Sequence, residues 1–323
     1  MSIVKSQLQD FRSSVAESAG GAISATQIPA TETSIAYTAN SPTVTVHDAG
    51  GFAVTNEIVI DDGTNRERRN ITAINGNIFT LNIGFANSYV ANTPISTKNA
   101  LLPDVTAQQA NDGLTVFRKF FRRNSNATIT WIDVRTWLTK QLTNAAISIG
   151  FGIDHADDAD GNQGNMTAFD ANAVVAVISD GVDTRVVTIV GEDAGGVRQT
   201  QTLTLNGATE VAGTLTFSRL YLASISALDA SRIVTIRQGA GGATRGIIGA
   251  NRMVSFLWFG RRASAGTIVN AEGGDIPTDV AGLRAGDVVA GGNVPVWARM
   301  TVPTGASASA NNTAHIQMRG ETN

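Results

Sequence analysis

Four stretches of this 323-residue chain hold residue types and spacings from which chemistry could be built. The first is Asp154-His-Ala-Asp157-Asp158-Ala-Asp160-Gly161-Asn162. Clustered carboxylates beside a glycine could bind calcium, a hard cation that takes about six to eight oxygen ligands. Laid on the EF-hand loop with Gly161 at the sharp turn, Asp158 and Asp160 fall on ligand positions. Ala156, however, stands where the loop begins, and Thr167 stands where a bidentate glutamate belongs. A solvated acidic loop is the better reading, and no metal ligand is assigned. The second set is His47, His155 and His315, far apart in sequence though free to meet in space. Arg262-Ala-Ser264-Ala-Gly266 has arginine where a nucleophile elbow needs glycine, and no His-Glu-x-x-His helix is present. No catalytic residue is assigned, and the chain is read as not an enzyme.

The third stretch, Gly239-Ala-Gly241-Gly242-Ala-Thr244-Arg-Gly246, has the glycines of a phosphate loop. It lacks the Lys-Ser/Thr pair, and a strand follows where a helix N-terminus would be needed to hold phosphate. It reads as a hairpin turn, and no cofactor is expected. The fourth, Phe117-Arg118-Lys119-Phe120-Phe121-Arg122-Arg123, interleaves bases and aromatics as a single-strand nucleic-acid groove does. One basic heptad in a chain of net charge −3 argues against that partner. The alternative is a strand with Phe117 and Phe121 on one face and Phe120 on the other, its basic residues on edges or at an interface.

The elements that must position these residues read as strands. Charged residues are 16% and aromatics 6%, while 33 glycines punctuate the chain, the profile of short strands and many turns. Cysteine is absent, which removes disulfides and thiolate sites together. No stretch approaches the roughly 18 apolar residues of a membrane-spanning helix, and Met1 is not followed by the apolar run of a secretory signal. Only Val4, Leu8, Phe11 and Val15 keep a helical spacing, with Gly20-Gly21 to stop it. Such a short helix must dock its apolar face, either on its own chain or on a neighbouring subunit.

Residues 22–41 read as an extended linker. From Ser41 the period becomes two: Val44 and Val46, then Val54 to Ile60, then Ile71 to Leu81 around Asn75-Gly76, which favours a type I′ hairpin. About five strands over 42–99 make a small antiparallel barrel or sandwich. After a joint at 98–104, strands continue at 114–121, 128–138, 147–153 and 173–178. Glycine turns at 181, 195–196, 207 and 241–242 then mark further strands. The fold class is all-β, with two antiparallel β-sandwich or barrel domains and a short helical N-terminal arm. The arm spans 1–41, the small domain 42–99 and the larger sandwich 100–323.

Several passages resemble a family of tailed-bacteriophage virion proteins. They are Ser18-Ala-Gly-Gly-Ala-Ile-Ser-Ala-Thr26, Leu101-Leu-Pro-Asp-Val105 and Val116-Phe-Arg-Lys-Phe-Phe-Arg-Arg-Asn-Ser-Asn126. Thr184-Arg-Val-Val-Thr-Ile-Val-Gly-Glu-Asp-Ala-Gly-Gly196 and Thr202-Leu-Thr-Leu-Asn-Gly-Ala-Thr-Glu210 resemble β modules of phage structural proteins. The resemblance covers roughly residues 18–30 and 100–250 and brings no catalytic residues. It implies a virion component assembled in the bacterial cytoplasm, with other virion proteins as partners. A capsid decoration or cement protein on the major capsid protein is favoured, and symmetric binding would suit a homo-oligomer such as a trimer. The alternatives are a tail, neck or baseplate protein, or a glycan-binding module for host recognition. For the last, Trp131, Trp137, Trp258 and Trp297 are the candidate platforms, all within apolar strands. Val4, Leu8, Phe11 and Val15 are the expected partner interface of the arm.

Overall fold

A single 3-10 turn, Lys5–Gln7, leads straight into strand β1 (Leu8–Ser13), which pairs antiparallel with β2 (Ile23–Gln27). The computed structural model describes residues 3, 5–14, 22–97, 100–140, 144, 146–153, 166–258, 261–264, 267–269, 283–307 and 315–322. For 137–140, 261–264, 267–269 and 315–322 only the backbone is described. The helical arm is therefore corrected. Leu8 and Phe11 lie in a strand, while Val4 and Val15 lie outside the described residues. Residues three apart point to opposite sides of a strand. Leu8 packs against Trp131, Val134, Ala285 and Val288, and Phe11 is buried. Flanked by partners on both edges, β1 satisfies its backbone groups and finds apolar neighbours for Leu8 and Phe11. A short isolated helix leaves its end groups unpaired and its apolar face uncovered.

The next six strands are β3 (Ala30–Glu32), β4 (Thr43–Thr45), β5 (Glu57–Asp61), β6 (Arg66–Asn75), β7 (Ile78–Leu81) and β8 (Pro94–Thr97). They form one antiparallel sheet in the order β3-β8-β5-β6-β7-β4. Its two edge strands also meet: the Ser34 amide donates to Thr45 O at 2.9 Å and the His47 amide to Glu32 O at 3.0 Å. The sheet thus closes on itself around Tyr37, Val44, Val46, Ile58, Ile60, Ile71, Phe79, Leu81, Phe85, Tyr89 and Ile95. The sheet begins at Ala30, inside the stretch read as linker. The hairpin at Asn75-Gly76 is present, with Asn75 opposite Ile78. Its two turn residues are Gly76 and Asn77, and Gly76 alone has positive φ, at 55°, so the turn is not the expected type I′.

A capped turn of helix, α1 (Ala107–Asp112), precedes β9 (Leu114–Asn124), β10 (Trp131–Lys140) and β11 (Ser148–Ile153). Eight strands follow: β12 (Ala173–Ser179), β13 (Val186–Glu192), β14 (Arg198–Thr204), β15 (Val211–Phe217), β16 (Arg219–Ile225), β17 (Val234–Gln238), β18 (Thr244–Ile248) and β19 (Val254–Phe256). They make two four-stranded antiparallel sheets, β15-β12-β17-β18 and β14-β13-β16-β19. Then come a small hairpin, β20 (Arg261–Ser264) and β21 (Thr267–Val269), and β22 (Leu283–Val288), β23 (Asn293–Val302) and β24 (His315–Thr322). These last three return to earlier strands. The order β11-β23-β9-β1-β2 forms a five-stranded sheet, and β22-β10-β24 a three-stranded one. The apolar side chains of the eight-strand unit share one core with Phe151, Trp258, Val296 and Trp297. The described chain is all-β, built from antiparallel sheets.

Candidate functional site at the N-terminal strand

Alternation along β1 sets Asp10 and Arg12 beside Leu8, and Gln9 beside Phe11. Asp10 meets Arg122 of β9, whose Nη1 donates to Oδ1 and Oδ2 at 3.1 Å each. Arg122 Nε donates to Thr136 Oγ1 on β10 at 2.9 Å, and its guanidinium lies 5.1 Å from the Phe120 ring centre. Arg122 is 1% exposed. Burial raises the Asp10 carboxyl above its ordinary value, against the opposing pull of the Arg122 charge. The same burial lowers Arg122. The pair joins three strands drawn from two sheets.

The basic-aromatic heptad is thereby explained. Its strand is the centre of the five-stranded sheet rather than an edge. Lys119 and Arg122 are buried along with Phe120 and Phe121. The Lys119 ammonium sits 5.5 Å from the Phe121 ring centre and 5.9 Å from that of Trp297. Cations held over ring faces within about 6 Å gain from the ring quadrupole, so the aromatics serve these internal cations rather than stacked bases.

A second constellation joins the entry turn to the closed sheet. Lys5 Nζ forms an ion pair with Glu32 and donates to Asn92 Oδ1 at 2.9 Å. His47 Nε2 lies 3.0 Å from the same oxygen. The backbone fixes these groups: the His47 amide bonds Glu32 O, and the Asn92 amide bonds Thr33 O at 2.7 Å. Asn92 takes the left-handed φ of 65°, which asparagine tolerates better than most residues. Nearby, Gln9 and Gln27 both donate to Asp48 Oδ2, at 3.0 and 2.6 Å. A groove of about 420 Å³ opens beside them, lined by Arg12, Gln27, Pro29, Asn56, Glu57 and Thr97 among others. An amine, a carboxylate, a carboxamide and an imidazole are thus assembled from four separate segments. Sequence reading singled out only His47, because nothing local signals the meeting.

The remaining sequence candidates fall as follows. The acidic loop at 154–162, with His155, lies outside the described residues, and of His315 only the backbone is described. The glycine-rich stretch from Gly239 is the β17–β18 hairpin, and the Gly241 amide donates to Glu210 Oε1 at 2.6 Å rather than facing an open cradle. Trp131, Trp258 and Trp297 are buried, and the side chain of Trp137 lies outside the described residues. Trp258 packs edge-on to Phe256, ring centres 4.8 Å apart, with the Arg299 guanidinium 4.5 Å away. Three of the four proposed glycan platforms are therefore core.

One end of the eight-strand unit has a different character. The Asp180 amide donates to Ile233 O, the Ile233 amide donates to Asp180 Oδ1, and Arg185 Nη1 donates to Ala227 O at 2.8 Å, so loops 180–185 and 226–233 are tied together. From that end project Val182, 84% exposed, Leu228, 60%, and Ile233, 41%. No protein-family model matches this chain, and no curated protein matches it.

Proposed function

We propose that this chain is a non-catalytic structural component of a tailed-phage particle, a capsid decoration or cement protein that binds capsomers. It would work as two β units, the closed sheet from β3 to β8 and the sheets that β1 and β2 build with β9 to β24, in a homo-oligomer assembled in the host cytoplasm. The observation that carries the reading is the apolar tip of Val182, Leu228 and Ile233. Its loops are bound to each other, so the exposed apolar groups are held in place, and clustered exposed apolar surface marks contact sites. The sequence resemblance supplies the kind of partner. Charge supports it too, since Asp10–Arg122, Asp183–Arg185 and Glu192–Arg219 are spent inside the chain. The partner interface moves accordingly: Leu8 and Phe11 are consumed by the chain's own sheets, and the tip takes the place of the arm.

Immunogold electron microscopy on purified particles tests the location. Gold over the head is the expected result; gold confined to neck or tail would shift the partner to tail proteins. The double variant Val182→Asp, Leu228→Asp is expected to keep its folded spectrum and melting temperature while its incorporation into particles falls at least about tenfold. Tenfold is the effect of losing about 1.4 kcal/mol of contact energy. Unchanged incorporation would remove the tip from the interface.

A further inference from the structure

We infer that Lys5 and Asn92 are placed to form an isopeptide bond within the chain, with Glu32 carrying the proton and His47 polarising the carboxamide. The three requirements of acyl transfer to an amine meet here. The nucleophile, Lys5 Nζ, is hydrogen-bonded to a base, Glu32, and to the carbonyl oxygen of its target, Asn92 Oδ1, at 2.9 Å. His47 Nε2, 3.0 Å from that oxygen, can donate to it as negative charge develops there, the role of an oxyanion donor. Backbone bonds hold His47, Glu32 and Asn92 in fixed relation, and such preorganisation replaces a bimolecular encounter.

In the reaction Nζ, relieved of its proton by Glu32, adds to Asn92 Cγ, and Oδ1 receives the displaced electron pair. The pair returns, the Cγ–Nδ2 bond breaks, and Nδ2 leaves as ammonia after taking one of the two protons that Nζ gives up by way of Glu32, the other passing to solvent. One amide replaces another and ammonia is released, with no oxidant, reductant or cofactor. Lys5 is half-exposed, so ammonia has an open exit. The site also lacks the dry surroundings that speed such reactions, so the bond forms on ageing rather than on folding. It would fasten the entry turn to the closed sheet across 87 residues of sequence.

The test uses the full-length chain, incubated for days in mildly alkaline buffer, where more of any lysine amine is unprotonated. Intact mass is expected to fall by one ammonia, and protease digestion to yield a branched peptide joining Lys5 to Asn92. Lys5→Arg keeps a cationic hydrogen-bond donor without the nucleophile and is expected to yield no branched peptide. Glu32→Gln is expected to slow the reaction at least about tenfold, at the low end of general-base effects. Circular dichroism checks that both variants fold. Loss of ammonia without the branched peptide would assign the change to succinimide formation at asparagine, Asn75-Gly76 and Asn206-Gly207 being the readiest sites, and overturn the proposal. An unchanged wild-type mass would overturn it as well, leaving the cluster a hydrogen-bonded latch.

Discussion

At Arg122, a residue whose type suggests a surface or a nucleic-acid contact is instead 1% exposed, its charge answered by Asp10. Removing Arg122 leaves Asp10, whose side chain is 22% exposed, uncompensated, at a cost of about 3 kcal/mol, the low end of the buried-pair range. Arg122→Met is therefore expected to lower unfolding free energy by that amount in urea titrations. The double variant Asp10→Leu, Arg122→Met is expected to recover part of the loss, because no charge is then left buried. Asp183 makes the opposite case. Arg185 donates to it through Nε at 3.0 Å and Nη2 at 2.6 Å, and Ser179 Oγ adds a third contact. These bonds hold its carboxyl at about 2, below the roughly 3.9 of an unfolded aspartate. A depressed carboxyl stabilises the fold above the unfolded value, and that stability drains away as pH falls from about 5 toward 2. Asp183→Asn is expected to cost on the order of 2 kcal/mol at neutral pH and to flatten the acid limb of a stability-against-pH curve. An unchanged acid limb would assign that limb to other carboxylates.

Among the elements, β1 has the most to lose. It separates β9 from β2, with Leu8 opposite Asn124 and Phe11 opposite Phe121. Removing residues 1–14 strips one side of β9 of its ladder, uncovers Phe121 and leaves Arg122 without Asp10. The truncated protein is expected to melt at a lower temperature and to be cut within 114–124 by trypsin. A helical arm docked on a neighbour would have left both properties intact. The strand was hard to read from sequence for a definite reason. Leu8 and Phe11, three apart, mimic a helical face, yet on a strand partly covered on both sides each finds its own apolar surroundings. The two-residue period was informative only where one face meets water, as in the 43–81 region. There the hairpin at Asn75-Gly76 was legible, though its turn type was not. Glycine punctuation marked the strands between 173 and 248 for the same reason, since turns are local. Ala30–Glu32 escaped notice because a three-residue strand of small and polar residues has no pattern. The Lys5–Glu32–Asn92–His47 cluster escaped because its four members come from separate segments, and only the folded ladder brings them together.

Among the described residues, the apolar side chains divide into a large core shared by the eight-strand unit and the five-stranded sheet, a separate one inside the closed sheet, and a small one of Trp131, Val134, Ala285 and Val288. The polar contacts of Lys5, Gln9 and Gln27 connect the two larger regions. This division locates the expected result of the tip variants. Val182 and Leu228 belong to none of these cores, so charging them changes attachment while the melting temperature stays put. The route by which β9 and β10 are completed has a consequence in time. β9 waits for β23, Leu114 facing Val302, and β10 waits for β24, Trp131 facing Thr322. A chain emerging from the ribosome can finish the closed sheet and the eight-strand unit early. β9 can pair with β1 on one edge, but its other edge and both edges of β10 stay open until the far downstream partners have been synthesised. Pairings so distant in sequence are slow to form and expose strand edges meanwhile. The nascent polypeptide therefore passes its most aggregation-prone interval with the β23-facing edge of β9 and the whole of β10 open, which makes chaperone demand during synthesis a property of this topology.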